Sequence, residues 1–453
     1  MNVAMIGAGR VGLVAGACLA DFGIRVHCVD NQAEKIEALR SGKVPFHEPG
    51  LDELVDKNVQ ANRLMFSSDL AEAVQHSQVI FFAVGTEEET PGVPNLKHLF
   101  GAARQVAREM ADYKVLVIKS TVPVGTAYKL ADELRAQTEV EFDIVSNPEF
   151  LREGSAIEDF MRPDRVVLGG RSPHALAIMK EIYRPLYLIE TPIVVTDNAT
   201  AELAKYASNA FLAIKISFIN EMAGLADCAG VDVHAVAKIV GLDRRIGHKF
   251  LHPGPGYGGS CLPKDTRALI AIGNEHGLAL NVVAGAAKTN DGICRYLVNR
   301  LKKQMGSLEG RTVCVLGLSY KPSTDDVRES RAVDFVRVLL DEGAVVQACD
   351  PAAHQAAARV LGHERLRLGA DPYEAANGAD AVAILTEWNE FRNMDLRELK
   401  TRMKGQLLLD CRNVLDPEAA ASCGFTYLGR GRGPKAGNWR DALDGEELVT
   451  TRN

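Results

Sequence analysis

No apolar run in the 453-residue chain reaches the ~18 residues that a membrane span needs, so no transmembrane helix is expected. No Cys-x-x-Cys pair occurs among the nine cysteines, which are scattered from Cys18 to Cys423. That spacing excludes the usual zinc and dithiol motifs and predicts reduced, cytosolic thiols and no metal. Excess positive charge is also missing: at a net charge of −7 general affinity for nucleic acid is not expected, and any anionic ligand must be held by local basic groups and helix ends. The first apolar stretch, residues 3–6, runs into a glycine-rich turn with no basic leader or small-residue cleavage site, and reads as a strand. The expectation is a soluble, cytoplasmic protein with neither nucleic-acid nor membrane partners.

A hydrophobic fraction of 47% and a charged fraction of 25% are ordinary for a globular protein, and the length implies about three folding units. Short β-rich runs at residues 3–6, 25–29, 79–84, 115–118 and 142–145 alternate with helical patterns, which predicts βαβ units and a parallel sheet. From Asn198 to about Gly230 good helix formers continue without proline, and without internal glycine until Gly224, so one long helix is expected. The alternating rhythm returns near Arg311, with strands at 313–316, 345–349, 381–385 and 407–409. The expected class is α/β: two Rossmann-like parallel-sheet domains, joined by a long central helix and a helical dimerisation region. The boundaries read 1–197, 198–305 and 306–428, followed by a flexible tail at 429–453 whose Gly-Arg-Gly-Arg-Gly-Pro-Lys start is polar.

Gly7-Ala8-Gly9-Arg10-Val11-Gly12 follows a strand and opens a helix. The glycines let backbone approach a pyrophosphate, and the helix start supplies N–H groups. Asp30 ends the next strand, where a carboxylate accepts hydrogen bonds from an adenosine ribose; a tight turn in an unrelated α/β fold is the alternative. The carboxy-terminal half echoes this strand–glycine–strand–acid pattern at Gly317 and Asp350, without the following glycines, so a second dinucleotide is not expected there. The run from Phe250 to Asp265 places glycines 254, 256, 258 and 259 ahead of Cys261, which describes a loop presenting a thiol at a helix start beside Lys264. A lone cysteine is otherwise most often a small buried hydrophobe.

At these residues the chain resembles the UDP-glucose/GDP-mannose dehydrogenase family. The resemblance runs from Met1 to about Pro417 through Ser-Thr-Val-Pro-Val-Gly-Thr at 120–126, Asn-Pro-Glu-Phe-Leu-Arg-Glu-Gly at 147–154, residues 202–211, Gly-Gly-Ser-Cys261, and Thr-Glu-Trp at 386–388. The chain departs from the family at Glu87, where proline usually follows the threonine.

The resemblance implies NAD as cofactor and a four-electron oxidation of a nucleotide sugar, UDP-glucose to UDP-glucuronate, through a thiohemiacetal and thioester on Cys261. It implies catalytic roles for Lys205 and Asn209 as donors to the substrate oxygen, for Thr121 and Asp265 in positioning water or accepting a proton, and for Glu149 as the hydrolytic base. A solvated helix face is the alternative for Lys205 and Asn209, and a carboxylate at a helix start is the alternative for Glu149. Cofactor contacts fall on Gly7, Gly9, Val11, Gly12, Asp30, Lys35, Thr86, Thr121, Glu153, Lys264 and Arg328. Substrate contacts fall on Glu149, Phe150, Leu151, Glu153, Lys205, Asn209, Phe250, Tyr257, Gly258, Tyr320, Lys321 and Arg412, with Arg328 also near the nucleotide and Arg245 reaching into a partner subunit of a homodimer or larger homo-oligomer. Oxidation of GDP-mannose or another nucleotide sugar, a non-catalytic NAD-binding regulator, and a two-electron hydroxyacid dehydrogenase are the competing readings.

Overall fold

A computed structural model describes residues 1–432. They form two compact units: residues 1–208 with 267–277, and residues 209–266 with those from 278 onward. The strands of the first are β1 (Asn2–Ile6), β2 (Arg25–Val29), β3 (Leu64–Ser67), β4 (Val79–Phe82), β5 (Glu88–Thr90), β6 (Val93–Pro94), β7 (Lys114–Ile118), β8 (Phe142–Ser146), β9 (Val166–Gly169) and β10 (Ile193–Thr196). Eight of them make one sheet in the order β10-β9-β8-β7-β4-β1-β2-β3, while β5 and β6 pair separately as an antiparallel hairpin. The sheet is parallel except at a single antiparallel bridge, Ser146 to Gly169. Along β1 the side chains alternate between two cores: Val3 and Met5 enter one, Ala4 and Ile6 the other. Helices cover both faces, which is why Val-Ile-Phe-Phe in β4 is buried throughout.

The second unit repeats the plan with β11 (Thr312–Leu316), β12 (Val345–Cys349), β13 (Leu366–Leu368), β14 (Ala381–Ile384), β15 (Leu407–Asp410) and β16 (Thr426–Gly429), ordered β13-β12-β11-β14-β15-β16 and parallel throughout. The α/β class with two Rossmann-like sheets is therefore the fold. The expected long helix runs Asn198–Ala229; this helix and the helix Leu262–Glu275 each belong partly to both compact units. Among the described residues no helix is long and apolar enough to cross a membrane.

The expected tail boundary is corrected. Gly429 completes β16, the Arg430 side chain is buried, and the Gly431 carbonyl accepts from Val233 N–H at 2.9 Å, so backbone and side-chain bonds hold the segment to Arg432. Residues 433–453 lie outside the described residues.

Within the first unit the long helix reaches the loop after β7 through Glu202. Its carboxylate accepts from Gly125 N–H at 2.6 Å, Ala127 N–H at 2.9 Å and the Ser146 hydroxyl at 3.3 Å, closing the open N–H end of the helix Thr126–Arg135. Burial pushes this carboxyl up from 4.5 to about 7, and those hydrogen bonds recover only part of the displacement. A folded value above the unfolded one means that stability from this group is complete below the unfolded value and declines as pH rises to about 7. Glu202→Gln is expected to remove that limb. In denaturant unfolding, the stability of the wild type minus that of the variant should fall by at most about 3 kcal/mol from pH 4.5 to 7, then stay level; a difference constant over the whole range would refute the assignment.

Candidate active site

The first unit builds a cradle at the end of β1. Gly7 sits at φ +102°, and a Cβ there would lie 2.7 Å from the Ala83 carbonyl; one on Gly12 would lie 1.9 Å from the Gly7 carbonyl. A Cβ on Gly9 would meet nothing within 4 Å, leaving backbone open at the amino-terminus of the helix Arg10–Asp21, where a diphosphate is stabilised by free N–H groups. Val11 packs partly on the core behind it. The Asp30 carboxylate accepts from Ala8 N–H at 2.9 Å, Gln32 N–H at 3.0 Å and Lys35 Nζ at 2.8 Å. Burial pushes Asp30 upward, but Lys35 and the two N–H groups outweigh it and hold the carboxyl below its ordinary value, so it stays ionised. The cradle and this acceptor fit a dinucleotide.

Near the cradle, Arg10 pairs with Glu153 at 3.9 Å. Thr86 donates to the Thr121 carbonyl at 2.8 Å, which fixes the turn that contains Glu87. Thr121, Ser120, Glu202 and Lys205 line one small cavity. Lys205 is 3% exposed and donates to Glu149 Oε1 at 2.8 Å, and Glu149 also accepts from Leu151 N–H at 2.5 Å. Burial pushes Glu149 up, yet the Lys205 ammonium, the Leu151 N–H and the charge of Lys119 bring its carboxyl below the ordinary value. Phe150 lies under Arg165, whose guanidinium carbon is 3.5 Å from the ring centroid. The solvated-face alternative for Lys205 is thus overturned.

Two residues of this group, Lys119 and Arg165, escaped the sequence reading, and Glu202 entered it only as the start of the segment 202–211. Lys119 is buried, donates to Asn147 Oδ1 at 3.2 Å, and is pushed down to about 8 by burial against the opposing pull of Glu149. Its only signal was a lysine directly after an apolar strand.

In the second unit Asn209, also buried, donates to Asp265 Oδ2 at 2.6 Å, and Lys264 Nζ donates to Asp265 Oδ1 at 2.5 Å. The Lys264 ammonium is therefore engaged by Asp265. Cys261 is the one exposed cysteine of the nine, immediately before the helix Leu262–Glu275, with Ser260 Oγ 3.6 Å from its sulfur. The loop before it is tightly constrained. A Cβ on Gly258 would lie 2.2 Å from the Glu329 carbonyl, and one on Gly259 2.6 Å from the Tyr320 ring. Asn290 clamps Tyr257 at both its N–H (2.7 Å) and its carbonyl (3.1 Å). Phe250 holds a left-handed φ of 66°.

The structure gathers several predicted anion-binding residues around this loop. Gly259 N–H donates to the Arg328 carbonyl, the Arg328 guanidinium forks onto Asp326, Lys321 lies 5.5 Å over the Tyr320 ring, and Arg412 packs against Gly254 while bonding the Leu385 carbonyl and Glu387. Arg328 belongs to this second unit, whereas the fingerprint belongs to the first. Arg245 is exposed and pairs with Asp243 at 2.6 Å. Asp350, the counterpart of Asp30, is consumed internally by Leu318 and Ser319 N–H, the Ser319 hydroxyl, and Ala352 and Ala353 N–H.

A fingerprint cradle with an ionised acceptor, together with a second Rossmann-like sheet and a presented thiol, defines a dinucleotide-dependent dehydrogenase. The chain belongs to the UDP-glucose/GDP-mannose dehydrogenase family: its NAD binding domain matches residues 1–187, its central domain residues 199–292 and its UDP binding domain residues 314–417. The chain is 48% identical over 437 residues to a UDP-glucose 6-dehydrogenase of Rhizobium meliloti, covering 95% of this chain and all of that one. It is 44% identical to UDP-glucose 6-dehydrogenase TuaD of Bacillus subtilis, covering 95% and 93%. A solved UDP-glucose dehydrogenase from Pyrobaculum islandicum superposes with a TM-score of 0.88 at 39% identity, covering 95% and 97%. The protein is an NAD-dependent oxidoreductase.

The bond from Lys35 to Asp30 sharpens an expectation about cofactor choice. Wild type should use NAD far better than NADP, because the Asp30 carboxylate opposes a 2′-phosphate. Asp30→Ala should raise KM for NAD on the order of tenfold and, by releasing Lys35, lower KM for NADP. Initial rates with each cofactor check this, and equal use of both by the wild type would contradict it.

Proposed function

We propose that the chain oxidises the primary alcohol of UDP-glucose through the aldehyde to UDP-glucuronate, a four-electron reaction using two NAD, as a cytoplasmic homodimer or larger homo-oligomer. The observation that carries this reading is Cys261: one exposed thiol at a helix start, among eight cysteines that are buried or half-buried. A two-electron alcohol oxidation has no need of it. The relatives named UDP-glucose 6-dehydrogenase support the choice of sugar nucleotide.

In this reading Tyr320, Lys321, Arg412, Phe250, Tyr257 and Gly258 hold the nucleotide sugar, with guanidinium and ammonium groups on the diphosphate. Gly7, Gly9, Gly12 and Asp30 hold NAD, which when bound accepts a hydride in each of the two oxidations. Lys205 and Asn209 follow one another by a single turn of the long helix. They donate to the sugar oxygen while charge develops there, and Asp265, with a water ordered by Thr121, takes the alcohol proton. The Cys261 thiolate then adds to the aldehyde carbon; loss of the second hydride from the tetrahedral centre leaves a thioester. Glu149, kept ionised by Lys205, takes a proton from the water that cleaves the thioester, releasing the carboxylate and the thiol. One alcohol, one water and two NAD thus give one carboxylate, two NADH and three protons.

The proposed dimer draws support from the long helix, where Phe211, Phe218 and Leu225 recur every seven residues and are 61%, 44% and 60% exposed. The exposed Arg245 would then serve the partner's sugar site.

Two NADH per UDP-glucose is the expected stoichiometry, read by absorbance against GDP-mannose and UDP-N-acetylmannosamine; one or none would sink the reading. Cys261→Ser should lose turnover by several orders of magnitude while binding both ligands, because a hydroxyl is far less ionised near neutral pH than a thiol. Glu149→Gln should give a burst of NADH followed by a slow phase, with an acyl adduct on Cys261 detectable by mass spectrometry. A Gln variant with ordinary linear kinetics would remove Glu149 from hydrolysis.

Arg412→Ala should weaken UDP-glucose binding by ~1.5–3 kcal/mol and leave NAD binding alone. Calorimetry showing equal damage to both would overturn the division of labour between the two sheets.

A further inference from the structure

Arg430 directly follows β16, and its side chain is only 3% exposed. Its Nη1 is 3.4 Å from Asp227 Oδ2, its Nη2 donates to the Asn220 carbonyl at 2.7 Å, and its guanidinium lies 4.7 Å over the Tyr296 ring. Arg300 approaches the other oxygen of Asp227 at 3.3 Å and donates to the Gly429 carbonyl at 2.8 Å. A guanidinium in this setting is a fork: it grips the carboxylate and the helix backbone at fixed separation, which a single ammonium does not do.

What it grips has consequences on both sides. The Asn220 side chain accepts the Gly254 N–H at 2.9 Å and so fixes the start of the glycine-rich loop that ends at Cys261. The Arg430 backbone is clamped by Asn413, whose amide accepts from Arg430 N–H at 2.8 Å and donates to the Arg430 carbonyl at 2.7 Å; Asn413 follows Arg412 directly. The two loops meet, since a Cβ on Gly254 would lie 2.9 Å from Arg412 Nη1.

We propose that Arg430 is a positioning residue for nucleotide-sugar binding: by holding Asn220 and Asn413 it sets the spacing between the glycine-rich loop and Arg412, although it touches neither substrate nor Cys261 in this role. The inference rests on the reading that the second unit holds the nucleotide sugar. It gives the segment after β16, which composition alone consigned to a tail, a part in recognition of the diphosphate.

The test uses the full-length protein, with UDP and NAD as calorimetric probes and amide hydrogen exchange at Gly254. Arg430→Lys keeps the charge but not the fork, and should weaken UDP binding about tenfold with NAD affinity unchanged, while Gly254 exchanges faster. Asn413→Gly, tolerable because Asn413 sits at φ 54°, removes the backbone clamp without touching the buried ion pair, and should shift UDP affinity the same way. It decides the matter should Arg430→Lys fail to fold. A purely structural role would lower the thermal midpoint and leave both affinities intact below it, which overturns the proposal, as would equal loss of NAD affinity. If the wild type binds no UDP, the functional reading fails, and exchange at Gly254 alone decides whether Arg430 holds the loop.

Discussion

The 32-residue helix Asn198–Ala229 presents buried polar side chains along its length, and each must find a partner, since a desolvated donor or acceptor left unpaired costs ~1–3 kcal/mol. In the first unit Asn198 bonds the ends of β8 and β9, Glu202 the loop after β7, and Lys205 the carboxylate of Glu149. In the second unit Asn209 bonds Asp265, Ser217 the Ala286 carbonyl, Asn220 the glycine-rich loop, and Asp227 the pair Arg300 and Arg430. The bonds of Glu202, Lys205, Asn209 and Asn220 reach segments that bear candidate functional residues, so at these four positions the need to pair buried polarity and the placement of those residues are the same constraint.

That constraint also explains where sequence reading succeeded and where it stopped. Strands such as β4 and β7 are near-continuous apolar runs and were visible from composition, as were the fingerprint glycines, whose type is imposed by backbone approach within a single turn. The strands β3, β9, β10, β13 and β16 were not read: each is three or four residues long and assembled by long-range pairing instead of local pattern. The helical extent of 198–230 was legible, but the burial of Lys205 and Asn209 was not, because periodicity alone does not tell a polar stripe facing partners from one facing water. Arg430 shows the same limit. A Gly-Arg-Gly-Arg run looks like a solvated tail until a carboxylate two hundred residues earlier is placed beside it.

The two sheets show how one scaffold acquires two roles. Both place an acid at the end of the second strand, and both bond it to the turn after the first. In the first sheet the turn is glycine-rich, Gly9 leaves backbone open, and Asp30 meets two N–H groups and a flexible lysine, so it remains able to accept from a ligand. In the second sheet Leu318 takes the place of Ala8 and Ser319 that of Gly9, and their N–H groups, with those of Ala352 and Ala353 and the Ser319 hydroxyl, saturate Asp350. The acid there braces the loop that leads to Tyr320 and Lys321. Anion binding in this half then has to come from side chains.

Position also separates one cysteine from eight. Burial pushes the thiols of Cys18, Cys28, Cys294 and Cys349 up to about 12, and those of Cys314 and Cys411 upward as well, so at neutral pH they remain protonated and behave as small apolar groups within the cores. Cys261 stays out of the cores because the backbone before it is held by neighbours that exclude side chains at Gly258 and Gly259, which presses the loop against Tyr320 and Glu329 while the sulfur itself stays outside. A bulkier residue at either glycine would need the loop to lift away from the Tyr320–Lys321 segment. The glycines ahead of the thiol thus do two things at once: they keep the thiol out of the core, and they keep its loop against Tyr320 and Glu329.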